Sequence, residues 1–220
     1  MRRPKIPEAA IKRLPVYLRV LEEMQEQEVP IVSSAELAER TGFSPEQIRK
    51  DLAYFGAFGT RGVGYDTALL RRRISRILGL HQGVKAALVG AGHLGYALAR
   101  YSLSKHKDVQ IAAIFDVDPL KVGTRIGDVV VRSVSELEQV VRQEGVKIGI
   151  VAVPASEAQR TVDALVSAGV EAILNFAPAK LKVPEGVFLQ NIDLTIELQS
   201  LAYYTSASQV EEDEVRVEQP

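Results

Sequence analysis

Gly90, Gly92 and Gly95 stand in G-x-G-x-x-G spacing, directly after the apolar run Val84 to Val89 and ahead of a helix-forming segment, Leu94 to about Ser102. Each glycine has a separate task in such a turn. The first permits a tight bend, the second lets backbone amides approach a pyrophosphate, and the third lets the helix lie against the strand. Ala91, His93 and Leu94 complete the candidate loop. Asp116 closes the next apolar run, Gln110 to Phe115, 21 residues after Gly95. A carboxylate there can accept from both hydroxyls of an adenosine ribose. Val117, Asp118 and Pro119 follow it with no arginine among them, so the local sequence favours NAD over NADP.

These residues need a rigid scaffold, and the downstream pattern supplies one. Helical "SELEQVVRQ", the strand "KIGIVAV", helical "SEAQRTVDALVSAG" and the strands "EAILNFA" and "VFLQN" continue the alternation, which predicts a doubly wound parallel sheet. Ligands of such sheets sit beyond the carboxyl ends of the strands. Val153 and Pro154 of "VPAS", with Asn175, Ala177 and Pro178 of "NFAP", are therefore expected to line the cofactor cleft. A dehydrogenase would also need a group that exchanges a proton with substrate. None is evident, since the sheet consumes residues 84 to 191 and the one histidine near the cofactor, His93, lies in the phosphate turn.

The first eighty residues read differently. Ile11, Leu14, Leu18, Leu21 and Met24 form a helical stripe interrupted by Pro15, which predicts a helix beginning at that proline. "SSAELAERTG" carries a capping box in Ser33 and Glu36, with Gly42 as the stop. In "FSPEQIRKDLAYFG", Ser44 is the cap and Pro45 the first helical residue. Ile48, Leu52 and Phe55 then face inward, leaving Gln47, Arg49, Lys50 and Tyr54 on the flanks. This is a helix-turn-helix. "FGAFGTRGVGYD" places four glycines around Arg61, the composition of a hairpin wing whose tip, Arg61 and Gly62, can enter a minor groove. Asp66 caps a closing helix with Leu70, Ile74 and Ile77 as its stripe.

Composition bounds the alternatives. The chain has 220 residues, no cysteine and three histidines, so disulfides, thiolate metal sites and a cysteine nucleophile are excluded and no metal site is expected. No apolar run nears the ~20 residues of a membrane helix, and a cytoplasmic protein is expected. Residues 1 to 80 carry 14 basic against 10 acidic side chains, a net of +4, whereas residues 206 to 220 carry one against five, a net of −4. The predicted division is a winged-helix domain over 1–80, a Rossmann domain over 81–191, a terminal helix over 192–205 and a disordered acidic tail over 206–220. The apolar positions of "DLTIELQSLAYYTSA" go more than one way round the helix, which implies burial against a partner subunit.

Taken together, "IRKDLAYFGAFGTRGVGY", "VGAGHLGYALARY", "FDVDPLKVG", "NFAP" and "NIDLTIEL" are similar to the Rex redox-sensing transcriptional repressors from about Ile6 to Tyr204. The resemblance implies a homodimer with a swapped carboxyl-terminal helix and NAD(H) held near the dimer interface. It also implies palindromic operators of respiratory and fermentative genes, bound with NAD+ or no cofactor and released by NADH. DNA recognition would fall to Arg49, Lys50 and Arg61, with Ser44, Gln47, Tyr54 and Gly62 beside them. Arg19, Tyr101 and Asp193 would meet across the dimer to couple cofactor to DNA. Some relatives carry an aromatic residue after the acid matched by Asp193; here it is Leu194. Two rival readings remain: a small NAD-dependent oxidoreductase dimerised by its amino-terminal helices, and a winged-helix scaffold whose nucleotide is structural.

Overall fold

The computed structural model describes residues 6–56, 58–60, 62–105 and 108–217, with backbone alone for 102–105 and 206–217. It divides into two compact units, Met1–Gly83 and Val84–Pro220.

In the first unit α1 (Glu8–Glu26), α2 (Ser34–Thr41), α3 (Pro45–Ala53) and α4 (Thr67–Ile77) surround a two-stranded ribbon of β1 (Ile31–Val32) and β2 (Tyr65–Asp66). The expected caps form. The Ser33 hydroxyl accepts from the Glu36 amide while the Glu36 carboxylate accepts from the Ser33 amide, and Gly42 ends α2 in the left-handed conformation at φ 74°. The Ser44 hydroxyl likewise accepts from the Gln47 amide, with Pro45 as the first helical residue. Asp66 caps α4 through the Leu69 amide.

Pro15 corrects the sequence reading, for α1 starts at Glu8 and runs through it. An interior proline costs about 3 kcal/mol, but α1 buries Ala10, Leu14, Tyr17, Leu18, Val20, Leu21 and Met24. At roughly 1.5 to 3 kcal/mol for each large apolar side chain, burial exceeds that cost. Pro15 itself lies on the exposed face, as does Ile11, whose carbonyl the proline deprives of a donor. Ile11 and Ile77, expected in the core, are 45% and 36% exposed.

The second unit is a seven-stranded sheet in the order β5-β6-β4-β3-β7-β8-β9. The strands are β3 (Val84–Val89), β4 (Val109–Asp116), β5 (Arg125–Ile126), β6 (Val129–Ser133), β7 (Ile148–Val151), β8 (Ala172–Asn175) and β9 (Phe188–Asn191). All pairings are parallel except β5 with β6. Helices α5 (His93–Lys105), α6 (Leu137–Glu144) and α7 (Ala155–Ser167) cover the faces. The doubly wound sheet is as expected, with two differences. Strand β6, "VVVRS", escaped the sequence reading because it is reached from β4 through a loop and the short β5 hairpin instead of a helix. Strands β8 and β9 are also joined by a loop.

Helix α8 spans Leu194–Val217 and so continues well past the boundary expected at residue 205, into the segment expected to be disordered. No glycine or proline interrupts the chain between Leu194 and Gln219, and Glu, Gln, Ala and Arg recur there, so nothing local stops the backbone ladder. Among the described residues no helix is long and apolar enough to cross a membrane.

Candidate functional site

Strand β3 lies between β4 and β7, so the chain's progress across the sheet reverses at its carboxyl end, where the glycine turn sits. Gly90 adopts φ 101° and donates its amide to the Phe115 carbonyl at 2.8 Å. A Cβ there would stand 2.3 Å from the Ala152 carbonyl oxygen, and one at Gly95 only 1.8 Å from that of Gly90. At Gly92 a Cβ would meet nothing within 4 Å. The three glycines thus divide their work: two permit packing of strand, turn and helix, and the middle one keeps open space over the backbone. That space fits a pyrophosphate above the first amides of α5, which begins at His93 and whose early amides have no partners inside the helix. His93 and Leu94 are exposed beside it.

Asp116 ends β4 and is 6% exposed. Its Oδ2 accepts from the Ala91 amide at 2.7 Å and from Lys121 Nζ at 3.2 Å, and its Oδ1 accepts from the Asp118 amide at 2.9 Å. Burial alone would raise its pKa. The amides of Asp118 and Ala91, with the Lys121 ammonium, outweigh it and hold the carboxyl below its ordinary value. The sequence reading found no arginine after Asp116 and missed this cation, which is five residues away and paired only through the fold. Val117 is 80% exposed at the lip.

From the far side of the switch point come Val153, half-buried, and Pro154, exposed at the start of α7. Asn175 differs from expectation. It is fully buried; its Nδ2 donates to the Ala177 carbonyl and to Asn191 Oδ1, and its Oδ1 accepts from the Ala177 amide, each at 2.9 Å. Its side chain is spent on holding the loop, which leaves Pro178 exposed and Ala177 buried. Asn175 therefore shapes the cleft wall instead of presenting polar atoms to a ligand.

In the first unit Arg49, with its side chain 51% exposed, donates to Ser34 Oγ and Glu46 Oε1, both at 2.7 Å. Lys50 is exposed, Ser44 is exposed at its cap, and Tyr54 is half-buried at the end of α3. A cleft of about 650 Å³ separates α3 and the start of α2 from the wing, lined in part by Ser34, Arg49, Leu52, Phe58, Thr60 and Tyr65. The wing tip closes as a tight turn in which Thr60 and Gly64 exchange backbone hydrogen bonds. Gly62 is exposed there at φ 82°; Arg61 lies outside the described residues.

Gln47 is not free on a flank: its Nε2 donates to Asp51 Oδ1 at 2.7 Å. Asp51 is fully buried and also accepts from Arg13 Nε at 2.6 Å and Nη2 at 2.8 Å, and from the Tyr17 hydroxyl at 2.7 Å. Burial alone would raise the Asp51 pKa, but these donors hold it below the ordinary carboxylate value. This hub ties α3 to α1. One signal for it was available: Asp51 sits three residues after Ile48 and beside Leu52, on the stripe that had to face inward.

Of the three residues implied to couple cofactor and DNA, Arg19 is exposed on α1 in the first unit. Tyr101 is 59% exposed on α5 in the second. Asp193 Oδ1 accepts from the Thr195 and Ile196 amides at 2.9 and 3.3 Å and so caps α8. Leu194, Ile196, Leu198, Leu201, Tyr203 and Tyr204 along α8 are all at least 56% exposed on the single chain. Among the described residues no cluster of three or more His, Cys, Asp or Glu could hold a metal.

Comparison with known proteins covers both units. Residues 5–53 match a family model described as "Putative DNA-binding protein N-terminus", and residues 81–179 one described as "CoA binding domain". The chain is 52% identical over 202 residues to the redox-sensing transcriptional repressor Rex of Natranaerobius thermophilus, covering 92% of each protein. A crystal structure of RSP in complex with β-NAD+ and operator DNA matches with a TM-score of 0.87 at 38% identity, covering 98% of this chain and 99% of that one. RSP in complex with β-NADH matches with a TM-score of 0.81 at 37% identity, covering 95% and 98%. With identity of this order over more than nine-tenths of its length, the chain belongs to the Rex family of redox-sensing transcriptional repressors.

Proposed function

We propose that this protein is a cytoplasmic transcriptional repressor that reads the NADH/NAD+ ratio, binding palindromic operators of respiratory and fermentative genes as a homodimer and leaving them when NADH prevails. The observation that carries this reading is one chain matching, over nearly its whole length, a repressor that holds NAD+ and operator DNA together. The oxidoreductase alternative finds no such support, because the whole-chain relatives are repressors.

In this reading Arg49 and Lys50 meet base edges in the major groove, the wing tip with Arg61 and Gly62 enters the adjacent minor groove, and Ser44 and Tyr54 contact the backbone. Gly92 and the first amides of α5 receive the pyrophosphate, Asp116 holds the adenosine ribose, and Val153, Pro154, Ala177 and Pro178 form the facing wall. The boundaries expected from sequence near residues 80 and 191 delimit reading head and sensor. The exposed apolar surface of α8 is the part exchanged between subunits, where it becomes buried.

A bound nicotinamide carries one positive charge as NAD+ that is absent in NADH. The coupling this chain needs is a charged cluster that responds to that difference. Asp193, presented with Leu194 from the exchanged helix, holds Tyr101 and Arg19 across the dimer in the repressing state, setting the spacing of the two reading heads. To pass from mostly bound to mostly released, the two states must differ in NADH affinity by roughly 3 to 5 kcal/mol, within reach of a few charge-assisted hydrogen bonds.

The test is fluorescence anisotropy on an operator duplex, with NAD+ and NADH titrated in turn. NADH should weaken binding by at least about a hundredfold relative to NAD+. In Asp193→Ala and Tyr101→Phe, NADH affinity should stay within about tenfold while its effect on DNA shrinks. Equal DNA affinity with both cofactors would end the sensor reading, and wild-type release in both variants would end the coupling route.

A further inference from the structure

Asp116 holds a ribose only if its oxygens can be reached, yet in this chain both are already engaged. The two amides, of Ala91 and Asp118, belong to the backbone and cannot leave. Lys121 is different: its side chain is 39% exposed and its Nζ stands 3.2 Å from Asp116 Oδ2 and 3.8 Å from Asp118 Oδ2. The position of Lys121 is also built. Its amide donates to the Asp118 carbonyl at 3.0 Å, and its carbonyl accepts from both the hydroxyl and the amide of Thr124, at 2.6 and 3.0 Å. The same turn is pinned by the Leu120 amide on Asp118 Oδ1 and by the Gly123 amide on the Val131 carbonyl. A displaceable ammonium is therefore held at the ribose edge between two carboxylates.

We propose that Lys121 is a specificity-determining residue of the nucleotide site, whose pairing with Asp116 sets how strongly a 2′-phosphorylated dinucleotide is rejected. The proposal rests on the reading of the Gly90 turn as an NAD(H) site. Asp116 and Asp118 bring two negative charges to the ribose edge and Lys121 one positive charge. A 2′-phosphate arriving there is repelled by the first two and attracted by the third. Lys121 is donor only, so with the ribose hydroxyls on Asp116 its ammonium turns to their oxygen lone pairs. With Asp116 neutralised, the same ammonium becomes a phosphate anchor. The sign of the selectivity thus comes from Asp116 and its size from Lys121.

The experiment titrates NADH and NADPH, followed by the fluescence of the reduced ring, into the full-length wild type, Lys121→Met, Asp116→Asn and the double variant. Lys121→Met should raise the ratio of the NADPH to the NADH dissociation constant about tenfold, mainly by weakening NADPH, since two uncompensated carboxylates then face the phosphate. Asp116→Asn should lower the ratio by about tenfold or more, and adding Lys121→Met should erase that gain. A ratio within twofold of wild type in Lys121→Met overturns the proposal, as does NADPH binding by Asp116→Asn that is indifferent to residue 121. If the buried Asp116→Asn variant fails to fold, the partly exposed Lys121→Met arm decides alone. Failure of the wild type to bind NADH would sink the reading of the turn itself and this proposal with it, a result distinct from normal NADH binding with unchanged selectivity.

Discussion

Two buried aspartates, one in each unit, serve opposite ends. The Asp51 carboxylate accepts from the side chains of Arg13, Tyr17 and Gln47, and two of these lie more than thirty residues earlier in the chain. Asp116 takes two of its three from backbone amides next to it in space and the third from a partly exposed lysine. Asp51 is closed on every side, so its energy goes into holding α3 against α1. Asp116 faces a partner that can move, in a turn whose middle glycine leaves open space. A buried charge surrounded by fixed donors is a structural joint, whereas one with a displaceable donor beside an open cradle is a place for a ligand.

The sharpest way to break this contrast is Asp51→Ala. Removing the buried carboxylate takes the acceptor from the Tyr17 hydroxyl and from the partly buried Arg13, and the loss should be about 3 kcal/mol, read as a lower urea midpoint with NADH affinity preserved if the second unit remains folded. The pH dependence sharpens it further. The folded-state pKa of Asp51 is depressed, so its contribution is full above the unfolded value near about 4 and is lost as pH falls through the lower folded value. Asp51→Asn should therefore lose part of the acid sensitivity that the wild type shows below about pH 4. An unchanged acid limb would mean that the hub carries little stability.

Next in size is the pair Gly95→Ala and Gly92→Ala. The added methyl at 95 meets the Gly90 carbonyl oxygen at 1.8 Å, whereas at 92 it meets open space. The first should destabilise the second unit by about 3 kcal/mol, measured by thermal melting. The second should melt as wild type yet bind NADH about tenfold more weakly, because the methyl occupies the pyrophosphate's approach. Equal effects on stability would refute the division of labour among the glycines.

The smallest effect concerns the reading head. Arg49→Ala should cost about 1 to 3 kcal/mol on a specific operator and much less on random duplex. Because the Arg49 hydrogen bonds to Ser34 and Glu46 lie at the surface, stability should change by less than about 1 kcal/mol. Equal losses on both duplexes would reduce Arg49 to a phosphate contact.

What the sequence by itself determined was whatever depends on neighbours a few residues apart or on backbone freedom carried by residue type. The capping box of Ser33 and Glu36, the Ser44-Pro45 start and the stop at Gly42 are contacts within one helical turn. Gly90 and Gly95 are demanded by a positive φ and a near-contact that any side chain would violate. Tertiary structure alone decided the rest. Asp51 lies on the inward stripe of α3, but its partners Arg13 and Tyr17 are known only once α1 packs against it. Lys121 reads as a loop cation until the Asp118 turn folds it back on Asp116, and Asn175 reads as a cofactor ligand until Asn191 of the adjacent strand claims its amide. Pro15 stays inside a helix because the burial of Leu14, Tyr17 and Leu18 outweighs a local preference. In each case a contact made only in the folded chain overrode what the local sequence suggested, and the linear order of residues does not record which group will arrive.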